Sequence, residues 1–282
     1  WRMRGEAPSQ HDFDHVYTRQ LYAGFGHKQF GELTYGNMVT ITDEVTQSDL
    51  ANTYSLTDGL LETSARRVAQ YVYNGDYGSN KVKFGAYYGG SSKRDIKNVD
   101  LKNNRKNTWG TGLIFDHEID SIQNVTVAAG FTREISENAD KTAYYSNAYA
   151  LGLAYNFVHT TYGLDFAHKD TKNKDGAGNK VKNNEVTAVI RQGLNEDWNV
   201  YAMYSYKTEK TLPVGSAYSK STDRQFLVGT EYYVYNQGSL KVKPFIEWQA
   251  TRTKYENTFD DAGKQLDRSR DFKTVIGLRA YW

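Results

Sequence analysis

Residues 145–157 read YSNAYALGLAYNF. Tyr145, Tyr149, Leu151, Leu153, Tyr155 and Phe157 occupy one set of alternate positions, and Ser146, Ala148, Ala150, Gly152, Ala154 and Asn156 the other. A strand points successive side chains to opposite faces. The stretch is therefore a strand with one aromatic and aliphatic face and one small, polar face. Whether the greasy face meets a protein core or lipid decides the fold.

The pattern recurs along the chain. Val82, Phe84, Ala86 and Tyr88 oppose Lys81, Lys83, Gly85 and Tyr87. Val125, Val127, Ala129 and Phe131 oppose Thr126, Ala128, Gly130 and Thr132. Val242, Ile246 and Trp248 oppose Lys241, Lys243, Glu247 and Gln249, and near the C-terminus Phe272, Ile276, Leu278 and Trp282 oppose Lys273, Gly277, Arg279 and Tyr281. About thirteen such strands follow from Val16 onward, each long enough to cross a bilayer at a tilt. In a soluble sandwich, facing sheets bury their apolar faces together. Here the opposite faces carry Lys, Arg, Asp, Glu and Gly, which suits a wet interior with lipid outside.

Composition agrees with that choice. Mean hydropathy is only -0.73, yet the chain has 23 Tyr, 12 Phe and 5 Trp against 3 Pro. When only alternate residues meet lipid, the average conceals the membrane signal. Closing the sheet removes every unpaired edge, as hydrocarbon requires. The connections also alternate in length. Short ones are HKQF, NGDYGSN, DSIQN, VHT, NEDW and NQGS; long ones are Gly5–His15, Thr40–Ala65, Ser91–Asn107, Ser136–Thr142, Lys172–Asn184, Leu212–Thr222 and Glu256–Arg268. The fold expected is all-β, a single transmembrane antiparallel β-barrel over residues 1–282.

Net charge is +2, without the clustered basic excess of a nucleic-acid binder. Cys is absent, which excludes disulfides and Cys-ligated metals. No cofactor is expected. The six His are His11, His15, His27, His117, His159 and His168. Most lie in turns or loops and none sits in a nucleophile motif, so an enzyme carried on a barrel is not favoured. His11 and His15 with Asp12 or Asp14 form the one metal-like grouping, in a short acidic loop of a common kind; no metal site is assigned.

The stretch TRQLYAGFG, its short turn and FGELTYGN (residues 18–37) resemble the hairpin that leads into the constriction loop of general trimeric porins. A YNG-type turn at Tyr73–Gly75 and the terminal VIGLRAYW match the same family. High Lys and Tyr content and TITDEVTQSD resemble the Pasteurella and Haemophilus group of these Gram-negative outer-membrane porins. The resemblance implies a sixteen-stranded homotrimeric barrel in contact with outer-membrane lipid and lipopolysaccharide. It also implies that Trp282 ends an assembly signal read by the barrel assembly machinery, and that Gly5–His15 latches onto a neighbouring protomer. With about thirteen strands and a stub at Trp1–Arg4, the expectation is that the first strands are missing from this chain. A complete fourteen-stranded barrel, with Trp1–Arg4 paired to the last strand, is the alternative.

A pore selects at its narrowest point, by size and by facing charges. Residues 40–65 form the longest loop and, by order, the one expected to fold into the lumen. It carries Asp43, Glu44, Asp49, Asp58 and Glu62 and no base before Arg66. Opposing cations are then required; Arg2, Arg4, Arg66, Arg67, Lys81 and Lys83 are the candidates. The family's acidic PEFGG-type tip is replaced by YSLTDG, and Asn37 stands where an Arg is common. Lys241, Lys243, Arg191, Lys273 and Arg279 read as a hydrated wall rather than an anion-guiding ladder. The function expected is passive diffusion of small hydrophilic solutes and ions. A substrate-specific channel, which would need an aromatic slide beyond the scattered Tyr87, Tyr201 and Tyr233, or a barrel-scaffold adhesin, is the alternative.

Overall fold

A computed structural model describes residues 2–3, 16–17, 20–91, 103–138, 143–173, 179–213, 217–238, 240–259 and 263–281. Arg2–Met3 (β1) pairs with Val16–Tyr17 (β2) as a separate two-stranded ladder. One fourteen-stranded sheet contains the rest. Its strands are β3 (Leu21–His27), β4 (Gly31–Val39), β5 (Ser64–Tyr77), β6 (Asn80–Gly89), β7 (Asn103–Asp120), β8 (Gln123–Asn138) and β9 (Ala143–Phe157). They continue as β10 (Thr160–Asn173), β11 (Lys180–Gly193), β12 (Trp198–Leu212), β13 (Ser219–Tyr232), β14 (Tyr235–Gln237), β15 (Leu240–Glu256) and β16 (Arg268–Tyr281). Each long strand pairs antiparallel with its sequence neighbour, and the three-residue β14 folds back on β15. Among the described residues no ladder joins β3 to β16, and β1 pairs with β2 rather than with β16.

The alternation places the residues as expected. Tyr149, Leu151, Phe166, Ile246 and Phe272 are exposed, whereas Ala148, Asp165, Lys243 and Glu247 on the opposite face are buried. The aliphatic face is thus left without a protein partner in strand after strand. Facing water, such a surface would be unfavourable by roughly 25 cal/mol per Å²; facing acyl chains, it is at home.

Two boundaries differ from the sequence reading. Tyr73–Gly75 is not a turn: these residues pair in register with Phe84, Lys83 and Val82. The turn lies at Gly78–Ser79, where Gly78 takes φ 74°, a left-handed conformation that glycine adopts without strain. Several strands also run further into the long connections than the apolar pattern does; β7 begins at Asn103 and β11 at Lys180. Polar cross-strand pairs carry these extensions, such as Ser146 with Thr171 and Asn183 with Glu209. A hydrophobicity count stops at the lipid boundary, whereas backbone pairing continues into water.

The buried apolar residues lie on the inner face and on the β4–β5 connection that covers it. Met38, Ile41, Val45, Leu61, Val68, Tyr87 and Ile114 form one cluster, and Leu56, Val189, Tyr201, Met203 and Leu227 another. The inner face is therefore not uniformly small and polar. Ile114, Met203 and Leu227 are dry because residues 40–63 cover them.

Candidate functional site

The β4–β5 connection leaves the sheet at Thr40 and returns at Thr63. The Thr40 N–H donates to the Thr63 carbonyl at 2.8 Å, closing the neck. The Thr40 and Thr42 hydroxyls donate to the Glu62 carbonyl at 3.2 and 2.7 Å. Gln70 of β5 accepts the Ile41 N–H at 2.7 Å. A 3-10 turn over Ile41–Val45 then buries Ile41, Thr42 and Val45 against the wall and leaves Asp43 and Glu44 exposed.

Glycines make the seat. A Cβ on Gly85 would lie 2.9 Å from Ile41, one on Gly130 2.8 Å from Val45, and one on Gly152 2.0 Å from the Val45 carbonyl oxygen. A Cβ on Gly163 would meet the Gln47 carbonyl at 2.6 Å. Gly85, Gly112 and Gly130 are cross-strand neighbours on β6, β7 and β8. The sheet thus carries a trench without side chains in which the connection lies. Burying Ile41, Val45, Leu56, Leu60 and Leu61 here stabilises the seat by about 1.5–3 kcal/mol per side chain.

Carboxylates on the wall hold the next part. Asp165 of β10 accepts the Gln47 and Ser48 N–H groups at 2.9 and 2.7 Å. Glu247 of β15 accepts from Asn52 N–H, Thr53 N–H at 3.0 Å, Tyr54 N–H at 3.0 Å and the Tyr201 hydroxyl at 2.7 Å. Glu185 of β11 accepts the Asp58 N–H at 3.0 Å. Glu231 of β13 binds the Asn52 side-chain amide at 2.8 Å, Lys243 at 2.6 Å and Arg191. Arg279 of β16 donates to the Asn52 carbonyl. A buried carboxylate without such partners would carry a desolvation cost of several kcal/mol; here each accepts at least two hydrogen bonds.

These contacts fix the curvature. Ile41 touches β6 and Asn52 touches β16, nine strand steps away in the sheet order. Laid flat, nine steps span ~43 Å, about the full reach of the intervening stretch and its end side chains together, yet that stretch opens in a 3-10 turn and is held down on β8, β10 and β15 along the way. The sheet is curled around residues 40–63, with the polar face inside.

The acids named from sequence fall as follows. Glu44 pairs with Lys83, Asp58 with Lys207, and Glu62 with Lys169 at 3.6 Å. Asp43 and Asp49 are exposed. Of the named cations, Lys83 meets the connection. Arg67 is exposed on β5, its N–H donating to Asn37 at 3.4 Å. Lys81 instead lines a cavity of about 360 Å³ at the short-turn end with Asp116, Glu118 and Asp120. Arg4, Trp282 and the segment 5–15 with His11, Asp12, Asp14 and His15 lie outside the described residues, as do the side chains of Arg2 and Arg66. Arg191, Lys243 and Arg279 are engaged by Glu231 or Asn52, and Lys273 pairs with Asp271 at 3.0 Å. Lys169, Lys207, Glu185 and the amide-accepting role of Glu247 escaped the sequence reading. Strand parity marked the face of Glu247; which charges on that face the connection meets depends on its path.

With this geometry in hand, comparison with known proteins is informative. Residues 3–242 match the family model described as Gram-negative porin. The major outer membrane protein of Pasteurella multocida is 24% identical over 272 residues, covering 95% of this chain and 68% of that protein. The same protein from strain Pm70 is 22% identical, covering 99% of this chain and 75% of its own length. Among solved structures, outer-membrane expressed OmpT of Vibrio cholerae superposes with TM-score 0.64 at 16% identity, covering 94% of this chain and 81% of that one. An anion-selective porin from Comamonas acidovorans gives TM-score 0.61 at 14% identity, covering 90% and 75%. The chain belongs to the Gram-negative porin family and is an outer-membrane β-barrel channel for passive diffusion.

Proposed function

We propose that residues 40–63 narrow this channel to an eyelet that passes small hydrophilic solutes and ions. One observation carries the reading: the connection buries Ile41, Thr42 and Val45 against the wall while Asp43 and Glu44 remain exposed on its other side. Acids on the open side of an inward loop face the water path. Asp43 and Asp49 then give the eyelet a negative edge, while Glu44, Asp58 and Glu62 chiefly tie the loop to the wall cations Lys83, Lys207 and Lys169. Arg2, Arg4, Arg66, Arg67 and Lys81 are proposed for the remaining basic wall. Tyr87 and Tyr201 are hydrogen-bonded within the loop's seat and Tyr233 lies under Lys243, which supports general diffusion over an aromatic slide. No reaction is assigned to the chain.

We further propose a homotrimer, a reading supported by the trimer form of OmpT of Vibrio cholerae, which superposes with TM-score 0.61 at 16% identity and covers 94% of this chain and 81% of that one. Trp282 is proposed to end the signal read during barrel assembly. Liposome swelling with sugars of graded size tests the channel reading. Entry is expected to fall steeply as the sugar grows; no entry of even the smallest sugar through a folded barrel would overturn it.

A further inference from the structure

The cavity of about 360 Å³ at the short-turn end lies on the inner face. Lys81 of β6 is directly opposite Asp116 of β7. Glu118 of β7 is directly opposite Asn124 of β8, which is opposite Asn156 of β9. All five line the cavity, and strand parity puts them on the face of the buried Thr126. Two residues along β6 on the same face, Lys83 holds Glu44 of the inner connection. The cavity is therefore one residue pair, ~7 Å, beyond that connection on the way to the short turns. Short turns mark the periplasmic side of outer-membrane barrels.

The charges in this cavity have not cancelled one another. Lys81 stands between two acids, Asp76 of β5 and Asp116 of β7. Asp76 accepts the Gly78 N–H at 3.2 Å and Asp116 accepts the Thr126 hydroxyl at 2.5 Å. Asp120 accepts the Ile122 N–H at 2.9 Å and the Gln123 amide at 2.7 Å. Glu118 is the remaining acid. Among the described residues, its carboxylate and the Lys81 ammonium have no hydrogen-bond or ion-pair partner, and both residues are exposed. They are diagonal neighbours across β6 and β7, ~7–8 Å apart. An unpaired cation and an unpaired anion at that spacing leave room between them for a molecule that carries both complementary charges. A simple cation would leave Lys81 unanswered. A simple anion would meet the carboxylates of Asp116, Glu118 and Asp120. The volume is at the small end of ligand sites, and Ser79, Ser121 and Asn124 supply neutral donors and acceptors around it.

We propose that this cavity is a subsite for zwitterionic solutes, free α-amino acids, held by Lys81 at the carboxylate and by Glu118 at the ammonium after they leave the eyelet. The proposal rests on the channel reading and names a solute class that the pore retains in passing. The test uses the whole chain folded in uncharged detergent, with weak binding read by saturation-transfer NMR. The probes are L-glutamine, the cation ethanolamine, the anion N-acetylglycine and the neutral erythritol. The unaltered chain is expected to bind L-glutamine at least a few fold more tightly than the other three. Binding is expected to weaken roughly tenfold in K81E and in E118K and to return in K81E/E118K, because a zwitterion can bind turned around. A merely structural role for either residue gives no such recovery. Ethanolamine bound as tightly as L-glutamine by the unaltered chain would overturn the proposal without any variant and make the cavity a plain cation site. So would equal binding of erythritol, unchanged L-glutamine binding in both single variants, or a folded double variant that does not recover. A chain that binds L-glutamine selectively but admits no sugar in liposome swelling would remove the channel reading and leave the subsite. Sugar entry without L-glutamine binding would remove the subsite and leave the channel.

Discussion

Glu247 accepts the backbone N–H of Thr53 at 3.0 Å across 194 residues of sequence. With Asn52 and Tyr54 donating to the same carboxylate, one wall residue holds the turning point of the inner connection. Glu247→Ala leaves those N–H groups without an acceptor. Hydrogen bonds to a charged group contribute about 1.5–3 kcal/mol each, so the expected loss is roughly 3 kcal/mol or more by denaturant midpoint. Current noise through single channels is expected to rise as the loop loosens. A quiet channel of unchanged stability would mean that the connection is held elsewhere.

Lys207 lies between two acids. It pairs with Asp58 and is the in-register cross-strand neighbour of the buried Glu185. Lys207→Met removes the cation beside Glu185 in the wall, whereas Asp58→Asn leaves Lys207 with Glu185 beside it. The expected cost is about 2–4 kcal/mol for the first and about 1 kcal/mol for the second. A double-mutant cycle on unfolding free energies checks the order; the reverse order would contradict this placement.

Gly152→Ala sets a Cβ 2.0 Å from the Val45 carbonyl oxygen, a backbone atom that cannot swing away. Gly90→Ala meets nothing within 4 Å and serves as the control. Overpacking of this kind costs about 1–3 kcal/mol. The expected result is a folded barrel with a displaced connection, read as altered conductance and faster proteolysis within 40–63, in Gly152→Ala alone.

Asp43→Asn/Asp49→Asn removes two exposed charges from the inner connection and leaves its ion pairs with Lys83, Lys169 and Lys207 in place. Reversal potentials in a salt gradient are expected to shift toward anion permeation, by more at low than at high ionic strength because salt screens exposed charge. An unchanged ratio would remove both acids from the eyelet.

Leu151 is exposed on the outer face of β9. An exposed leucine in water tolerates substitution within about 0.5 kcal/mol. In the hydrocarbon layer, Leu151→Arg is expected to cost about 2–4 kcal/mol. Refolding titrations in lipid vesicles decide between them.

The alternation in residues 145–157 and its recurrence along the chain determined the strands and their two faces, because strand parity is a local property of the backbone, and the charged residues opposite the aliphatic ones pointed to lipid outside. Turn positions were less legible: at Tyr73–Gly75 the family resemblance suggested a turn, but pairing with β6 kept the strand going to Tyr77. The presence of acids in residues 40–65 was legible, and so was the face on which Glu247 and Asp165 lie. Their partners were not. Asp58 meets Lys207 across 149 residues and Gln47 meets Asp165 across 118, pairings set by how the sheet curls around the connection and where a glycine trench lets it lie. Curvature belongs to all the strands together, so no local stretch encodes it, and only the tertiary structure decided which charges hold the loop.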